Sequence, residues 1–233
     1  MQSEVVGKGL LGSAFEKSKS ENCLFYCSGV SNSQETRKSE FDREKYLLLR
    51  NLHTTKLVVY FSSVLVSTQD NDYYRHKIDM ENLVAKNFDR YLILRLPQVV
   101  GVINNETLLP TFIRKIINNE ELVVYKNARR CIVDVEHVVD MFDHAYQDGI
   151  CNTVLSCCPE YGFNPLELAK LLSAYLEKQA QVTLIENNSI QYECLSPSLK
   201  KYEYIFGDID SYLQRVVKKY AREILKMISL HNV

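Results

Sequence analysis

Three compact apolar runs constrain this chain more than any other feature: Cys23–Cys27 (CLFYC), Lys56–Val66 (KLVVYFSSVLV) and Tyr91–Leu96 (YLILRL). Each has strand length, and the latter two lack the polar alternation of a half-solvated strand, so they read as strands buried on both faces. Segments of helical character separate them, Ser33–Leu52 and Tyr73–Phe88. A short apolar entry, Glu4–Val6, comes first, followed by a glycine-rich turn and a helix over Ser13–Ser20. The first hundred residues thus run β-α-β-α-β-α-β, an order that predicts a parallel sheet with helices on both faces.

The second half is more mixed. It reads as a helix over Leu108–Asn118, strands over Leu122–Tyr125 and Cys131–Val135, and a helix over Glu136–Tyr146. A strand over Thr153–Cys157, a helix over Pro165–Leu176, a strand over Val182–Ile185 and a long helix over Asp208–Met227 complete it. With 233 residues and 46% hydrophobic content the chain can bury a core. A net charge of −1 gives no electrostatic reason to expect a nucleic-acid partner. The seven cysteines include no CxxC pair and the histidines lie at no metal-ligand spacing, so we expect reduced thiols and no metal. No apolar run reaches the length of a membrane span, and the N-terminus lacks a basic region followed by a long apolar one. The expectation is a cytoplasmic protein with no membrane partner.

Gly7, Gly9 and Gly12 spell GxGxxG between the first strand and a helix. In such a turn the first glycine permits the tight bend, the second lets backbone approach a pyrophosphate, and the third lets helix and strand pack closely. Glycine turns without ligands are common, and it is the position after a first strand that favours a dinucleotide here. The acidic residue that usually grips the adenosine ribose some 20 residues further on has no counterpart in Cys27–Asn32.

Ser62 and Ser63 stand near the end of the Lys56–Val66 run, where a parallel sheet presents its ligands. Ten residues later, Tyr73 and Lys77 fall one helical turn apart on one face. With 15 tyrosines, about one Tyr-x-x-x-Lys is expected by chance, and an ordinary surface pair explains the spacing alone. The joint order of glycine turn, serine strand and Tyr-x-x-x-Lys favours a site. In it Ser63 positions a substrate oxygen, Tyr73 is the acid/base, and the Lys77 ammonium lowers the Tyr73 pKa and binds the cofactor ribose.

Glycine turn, serine strand, Tyr73-x-x-x-Lys77-x-x-x-Glu81 and Leu92–Arg95 resemble, in this order, the extended short-chain dehydrogenase/reductases, specifically their nucleotide-sugar epimerase/dehydratase/reductase branch. Leu108–Ile117, Leu122–Tyr125, Arg130–Val138 and Asn164–Leu171 resemble the family's substrate segment. The resemblance implies a Rossmann-like domain over 1–100 and a mainly substrate-binding region over 101–233, with 131–157 returning to the Rossmann sheet. It implies NAD or NADP held by Gly7, Gly9, Leu10, Leu11, Gly12, Ser28, Gly29, Ser62, Lys77 and Leu96. The substrate is a nucleotide-activated sugar or similar polyol, contacted by Gln98 and by Arg130, with Arg129 as the alternative. A homodimer through the helices of Ser33–Leu52 and Tyr73–Phe88 is also implied.

Departures shape the expectation. Relatives place about twice as many residues between glycine turn and serine. Cys23–Ser31 looks like the family's fourth strand, so the strand–helix units that hold the adenosine end are missing. The sheet should have fewer strands than usual. Val64 and Leu65 stand where sugar dehydratases carry acids, which speaks against dehydration. His76 reads as a solvated helix residue, His137 as structural, Glu81 as a structural helix contact, and Lys200, Lys201, Lys218, Lys219 and Arg222 as a solvated face. Two functions follow: an NAD(P)-dependent oxidoreductase or epimerase, or a non-catalytic dinucleotide or sugar-nucleotide binding protein that retains the fold.

Overall fold

The computed structural model describes residues 2–103, 107–160, 162–186 and 194–230. In chain order the first elements are β1 (Glu4–Val6), α1 (Leu10–Phe15), β2 (Cys23–Tyr26), α2 (Lys38–Leu49), β3 (Leu57–Ser63), α3 (Asp72–Asn87), β4 (Tyr91–Leu96) and β5 (Gln98–Val100). Then come α4 (Leu108–Ile117), β6 (Glu121–Tyr125), β7 (Ile132–Asp134), α5 (Val135–Gln147), β8 (Thr153–Ser156), α6 (Pro165–Tyr175) and β9 (Gln181–Ile185). A 3-10 segment, Pro197–Phe206, and α7 (Tyr212–Leu230) close the chain. Two compact units form: Met1–Pro97 with Val135–Cys158 and Tyr192–Ile205, and Gln98–Asp134 with Pro159–Gln191 and Phe206–Val233.

The first unit is a five-stranded parallel sheet in the order β1-β2-β3-β4-β8. Side chains alternate across it, as the two-residue period of a strand requires. Leu24, Tyr26, Val58, Tyr60 and Ile93 pack with Leu48 of α2 and with Met80, Val84 and Phe88 of α3 and its C-cap. Phe25 meets Phe15 of α1 at 4.7 Å and Phe142 of α5 at 5.0 Å, on the opposite face. Helices therefore cover both faces, as the β-α alternation predicts, in a Rossmann-like α/β fold.

β1 is the edge of this sheet, hydrogen-bonded to β2 alone. In a complete doubly wound sheet the first strand is central, and the strand order reverses beside it. Here, among the described residues, no strand lies on the far side of β1, in keeping with the short span between glycine turn and serine.

Several segments differ from their expected form. α1 begins at Leu10 rather than Ser13, because Gly9 is already its N-cap. α2 begins at Lys38 rather than Ser33, since the Glu35 carboxylate accepts from the Thr36 and Arg37 amides and holds that stretch out of a helix. Val64 and Val66 leave the third strand for a turn whose first amide bonds the Leu96 carbonyl. The Cys131–Val135 stretch does not return to the main sheet. Ile132–Asp134 instead pairs in parallel with Gln98–Val100, a three-residue strand starting just after Pro97 and too short for a periodicity to register.

The second unit also holds the parallel pair β6–β9 and helices α4, α6 and α7. Asp134 is its polar centre: the carboxylate accepts from Lys219 Nζ at 2.7 Å and Tyr220 Oη at 2.6 Å. Lys219 is thus no member of a free solvated face, and neither is Lys201, which ion-pairs with Asp148 in the first unit. Asn164 caps α6 in a reciprocal box with Glu167, with Pro165 in the first turn. Asn164→Ala removes both the cap and two backbone contacts to 126 and 128. It is expected to lower stability by about 1–2 kcal/mol, read as a shift of the thermal midpoint.

Candidate active site

The glycine turn leaves the C-terminal end of β1. Gly7 has φ +114°, which favours glycine, and a Cβ there would come within 2.7 Å of the Cys27 carbonyl. A Cβ at Gly12 would collide with the Gly7 carbonyl. Gly9 has nothing within 4 Å of such a Cβ and is exposed. The turn is therefore closed on its protein side by two glycines and open to a ligand at the third. Leu10 and Leu11 follow in the first turn of α1, both partly buried. Ser28 and Gly29 follow β2, and Arg43 donates to the Ser28 carbonyl at 3.3 Å.

Ser62 and Ser63 end β3, paired in register with Arg95 and Leu96 of β4. Ser62 Oγ is buried and has no hydrogen-bond partner among the described residues. Ser63 Oγ accepts from the Leu65 amide at 3.2 Å, which bends the chain out of the strand. Tyr73 packs among Val30, Val66, Tyr74 and the partly buried Leu65, so the helix and the end of β3 meet there. Ser63 and Tyr73 share no hydrogen bond among the described residues.

Tyr73 and Lys77 do lie together, buried on α3, with Lys77 Nζ 5.7 Å from the Tyr73 ring centroid. Lys77 is 2% exposed. Its ammonium donates to Glu44 Oε1 and to Tyr60 Oη, both at 3.1 Å. Burial pulls its pKa down, opposed by the Glu44 charge. The expected lowering of the Tyr73 pKa does not occur. Burial above all, then Tyr74 and then Glu44, push the phenol above its usual range. At neutral pH Tyr73 is a phenol.

Glu44 escaped the sequence reading, and His76 was placed there on a solvated face. Glu44 is 0% exposed, within a helix whose other charged residues face solvent. Its carboxylate accepts from the Val30 amide at 2.7 Å, Tyr60 Oη at 2.7 Å and Lys77 Nζ, and lies 3.0 Å from His76 Nε2. Burial raises its pKa, but Lys77, His76, Val30 and Tyr60 outweigh it and hold the carboxyl at about 2. A depressed carboxyl pKa stabilises the fold above the ordinary carboxylate range. That contribution is lost as pH falls toward 2. His76 is not solvated: it stacks on Phe41 at 4.5 Å and faces Glu44. Glu81 ion-pairs with Arg95 of the adjacent strand at 2.7 Å rather than within its own helix.

In the second unit Gln98 Oε1 is buried without a partner among the described residues. Gln98 lines a largely apolar pocket with Val100, Thr107, Ile132, Phe163 and Leu213. Arg130 is half-buried, and its backbone bridges to Phe163 in both directions. Its guanidinium makes no hydrogen bond among the described residues, whereas Arg129 is tied to the Gly162 carbonyl at 2.7 Å. Cys157 and Cys158 are both buried and outside any disulfide. Among the described residues no helix is long and apolar enough to cross a membrane, and no His/Cys/Asp/Glu group could hold a metal ion.

Residues 61–158 match the model of the NAD dependent epimerase/dehydratase family. No curated protein matches the chain in sequence. Among solved structures, RMD from Pseudomonas aeruginosa complexed with NADPH is similar with a TM-score of 0.72 at 13% identity, covering 97% of this chain and 100% of that one. WbmH from Bordetella bronchiseptica in complex with NAD+ gives 0.69 at 14% identity, covering 87% and 75%. A UDP-galactose 4-epimerase gives 0.69 at 18% identity, covering 89% and 78%. At these identities the likeness is one of fold.

Proposed function

We propose that this chain, an NAD dependent epimerase/dehydratase family segment set in a shortened Rossmann-like sheet, is an NAD(P)-dependent oxidoreductase or epimerase acting on a nucleotide-activated sugar or similar polyol. The observation that carries the reading is the buried Tyr73–Lys77 pair beside the serine-bearing end of β3. A surface pair would leave both side chains in water. The comparisons support it through neighbours holding NADPH or NAD+ and through an epimerase of a UDP-sugar.

The residues fit the pyrophosphate and nicotinamide end of a dinucleotide. The turn of Gly7, Gly9, Leu10, Leu11 and Gly12 is open at Gly9. Ser28, Gly29, Ser62 and Leu96 border the strand ends, and the orphaned Ser62 hydroxyl offers a polar contact. Lys77 retains one N–H for a ribose hydroxyl after its two internal bonds. When bound, the dinucleotide supplies or accepts a hydride. Tyr73, neutral at physiological pH, donates its proton to the carbonyl oxygen of a keto-sugar in the reductive direction and takes it back in the reverse one. Ser63 holds the same oxygen. Within the second unit, the Arg130 guanidinium, without a hydrogen bond among the described residues, suits a phosphate group, and the buried Gln98 carbonyl suits a sugar hydroxyl.

One observation favours the second reading, a binding protein without turnover: β1 is a sheet edge, and the adenosine end lacks the strands that flank it elsewhere. Titration of the full chain with NADH and NADPH, followed by reduction assays on nucleotide-linked ketohexoses, separates the two. Saturable binding below millimolar with turnover is expected. Binding without turnover on any keto-sugar supports the second reading, and no binding of either cofactor at millimolar concentration sinks the first. Arg130→Ala is expected to raise the KM for the sugar nucleotide roughly 10- to 100-fold while leaving cofactor affinity unchanged.

A further inference from the structure

Glu44 is costly where it stands. A carboxylate and an ammonium taken out of water lose solvation that their mutual attraction often fails to return, and an apolar residue at the same helical position avoids that cost. Yet the carboxylate is fully buried and bonded from three sides: the Val30 amide after β2, Tyr60 on β3, and both His76 and Lys77 on α3. Its own backbone carbonyl accepts from Tyr26 Oη at 2.6 Å. Gly29 lies directly against the pair, for a Cβ there would stand 2.9 Å from both Glu44 Oε1 and Lys77 Nζ. One carboxylate thus ties the proposed reacting helix to the backbone turn beside the proposed cofactor.

We propose that Glu44 is a positioning residue: it keeps the buried Lys77 amine protonated and fixes it, with the Gly29–Val30 backbone, in the arrangement that receives the dinucleotide ribose. This rests on the function proposed above. Tyr60 Oη donates to Glu44 and accepts from Lys77, so two of the three ammonium protons are placed and one is left for ligand. The groups that face this pair are Tyr26 and Arg43, Tyr60, Tyr73, His76 and Glu81. Of these, Arg43 is on the exposed side of α2 and Glu81 is already paired with Arg95. Without Glu44, burial drives Lys77 toward the neutral amine.

The test is NADPH and NADH titration of the wild-type chain, Glu44→Gln and Glu44→Asp between pH 6 and 9. Thermal melts of the ligand-free Glu44→Gln, Lys77→Met and double variants accompany it. Glu44→Gln is expected to weaken cofactor binding about tenfold or more, by a factor that grows with pH as the amine loses its proton. Glu44→Asp should follow the wild-type pH profile, and the double variant should melt above Glu44→Gln, since no buried amine without its carboxylate partner remains. A Glu44→Gln profile parallel to wild type, or a double variant melting no higher than the single, overturns the role of Glu44 alone. Should Glu44→Gln not fold, Glu44→Asp decides: an altered pH slope in this charge-retaining variant also overturns it. Wild-type protein that binds neither cofactor removes the functional reading, and this role with it.

Discussion

Tyr73→Phe is expected to cost between about a hundredfold and ten-thousandfold in kcat for keto-sugar reduction, with NADPH affinity little changed. The hydroxyl makes no hydrogen bond with the described residues, and the ring is held by Val30, Val66 and the edge-on Tyr74 at 5.0 Å. Removing one oxygen therefore leaves the packing intact, and the thermal midpoint should move by no more than about 2 °C. The pH dependence adds a second readout. Burial, Tyr74 and Glu44 displace the phenol's proton loss upward, so the wild-type reductive rate should stay flat through pH 6–8 where an activated phenolate would already titrate. A folded Tyr73→Phe protein that turns over within threefold of wild type would remove Tyr73 as the acid.

What the sequence made legible was whatever depends on local pattern. CLFYC, LVVYF and YLILRL are strands because their side chains are buried on both faces of a parallel sheet, and a continuous apolar run is the direct imprint of that. The edge position of β1 also follows from spacing, since too few residues separate glycine turn and serine to build strands beyond it. What escaped depends on partners far along the chain. Glu44 reads as one more solvated charge in KSEFDREKYLLL, and only Lys77, 33 residues on, makes it a buried one. A signal did exist: Phe41, Glu44 and Leu48 recur at the three- and four-residue spacing of a buried helical face, with an acid where an apolar residue is expected. His76 was misplaced for the same reason, because its neighbour Phe41 belongs to a different helix. The upward displacement of the Tyr73 pKa escaped because spacing shows a lysine near a phenol but not the burial of that phenol, nor Tyr74 and Glu44 beside it.

Gly9→Ala and Gly12→Ala are expected to part company, and their difference locates the phosphate. At Gly12 the added methyl meets the Gly7 carbonyl, with the Gly7 carbonyl carbon at 2.9 Å, and backbone on both sides cannot yield. That variant should lose about 2–4 kcal/mol of stability, a fall of roughly 5–15 °C in thermal midpoint, and its cofactor binding with it. At Gly9 the φ of −78° suits alanine and no atom lies within 4 Å of the new methyl, so the loss should be below about 1 kcal/mol, from the weaker helix cap. The same methyl, however, projects into the space through which a pyrophosphate reaches the turn, and NADPH affinity should fall tenfold or more without a matching loss of stability. Equal cofactor affinity in Gly9→Ala and wild type would mean that no phosphate contacts this turn, and that the open glycine is a feature of the fold inherited without its ligand.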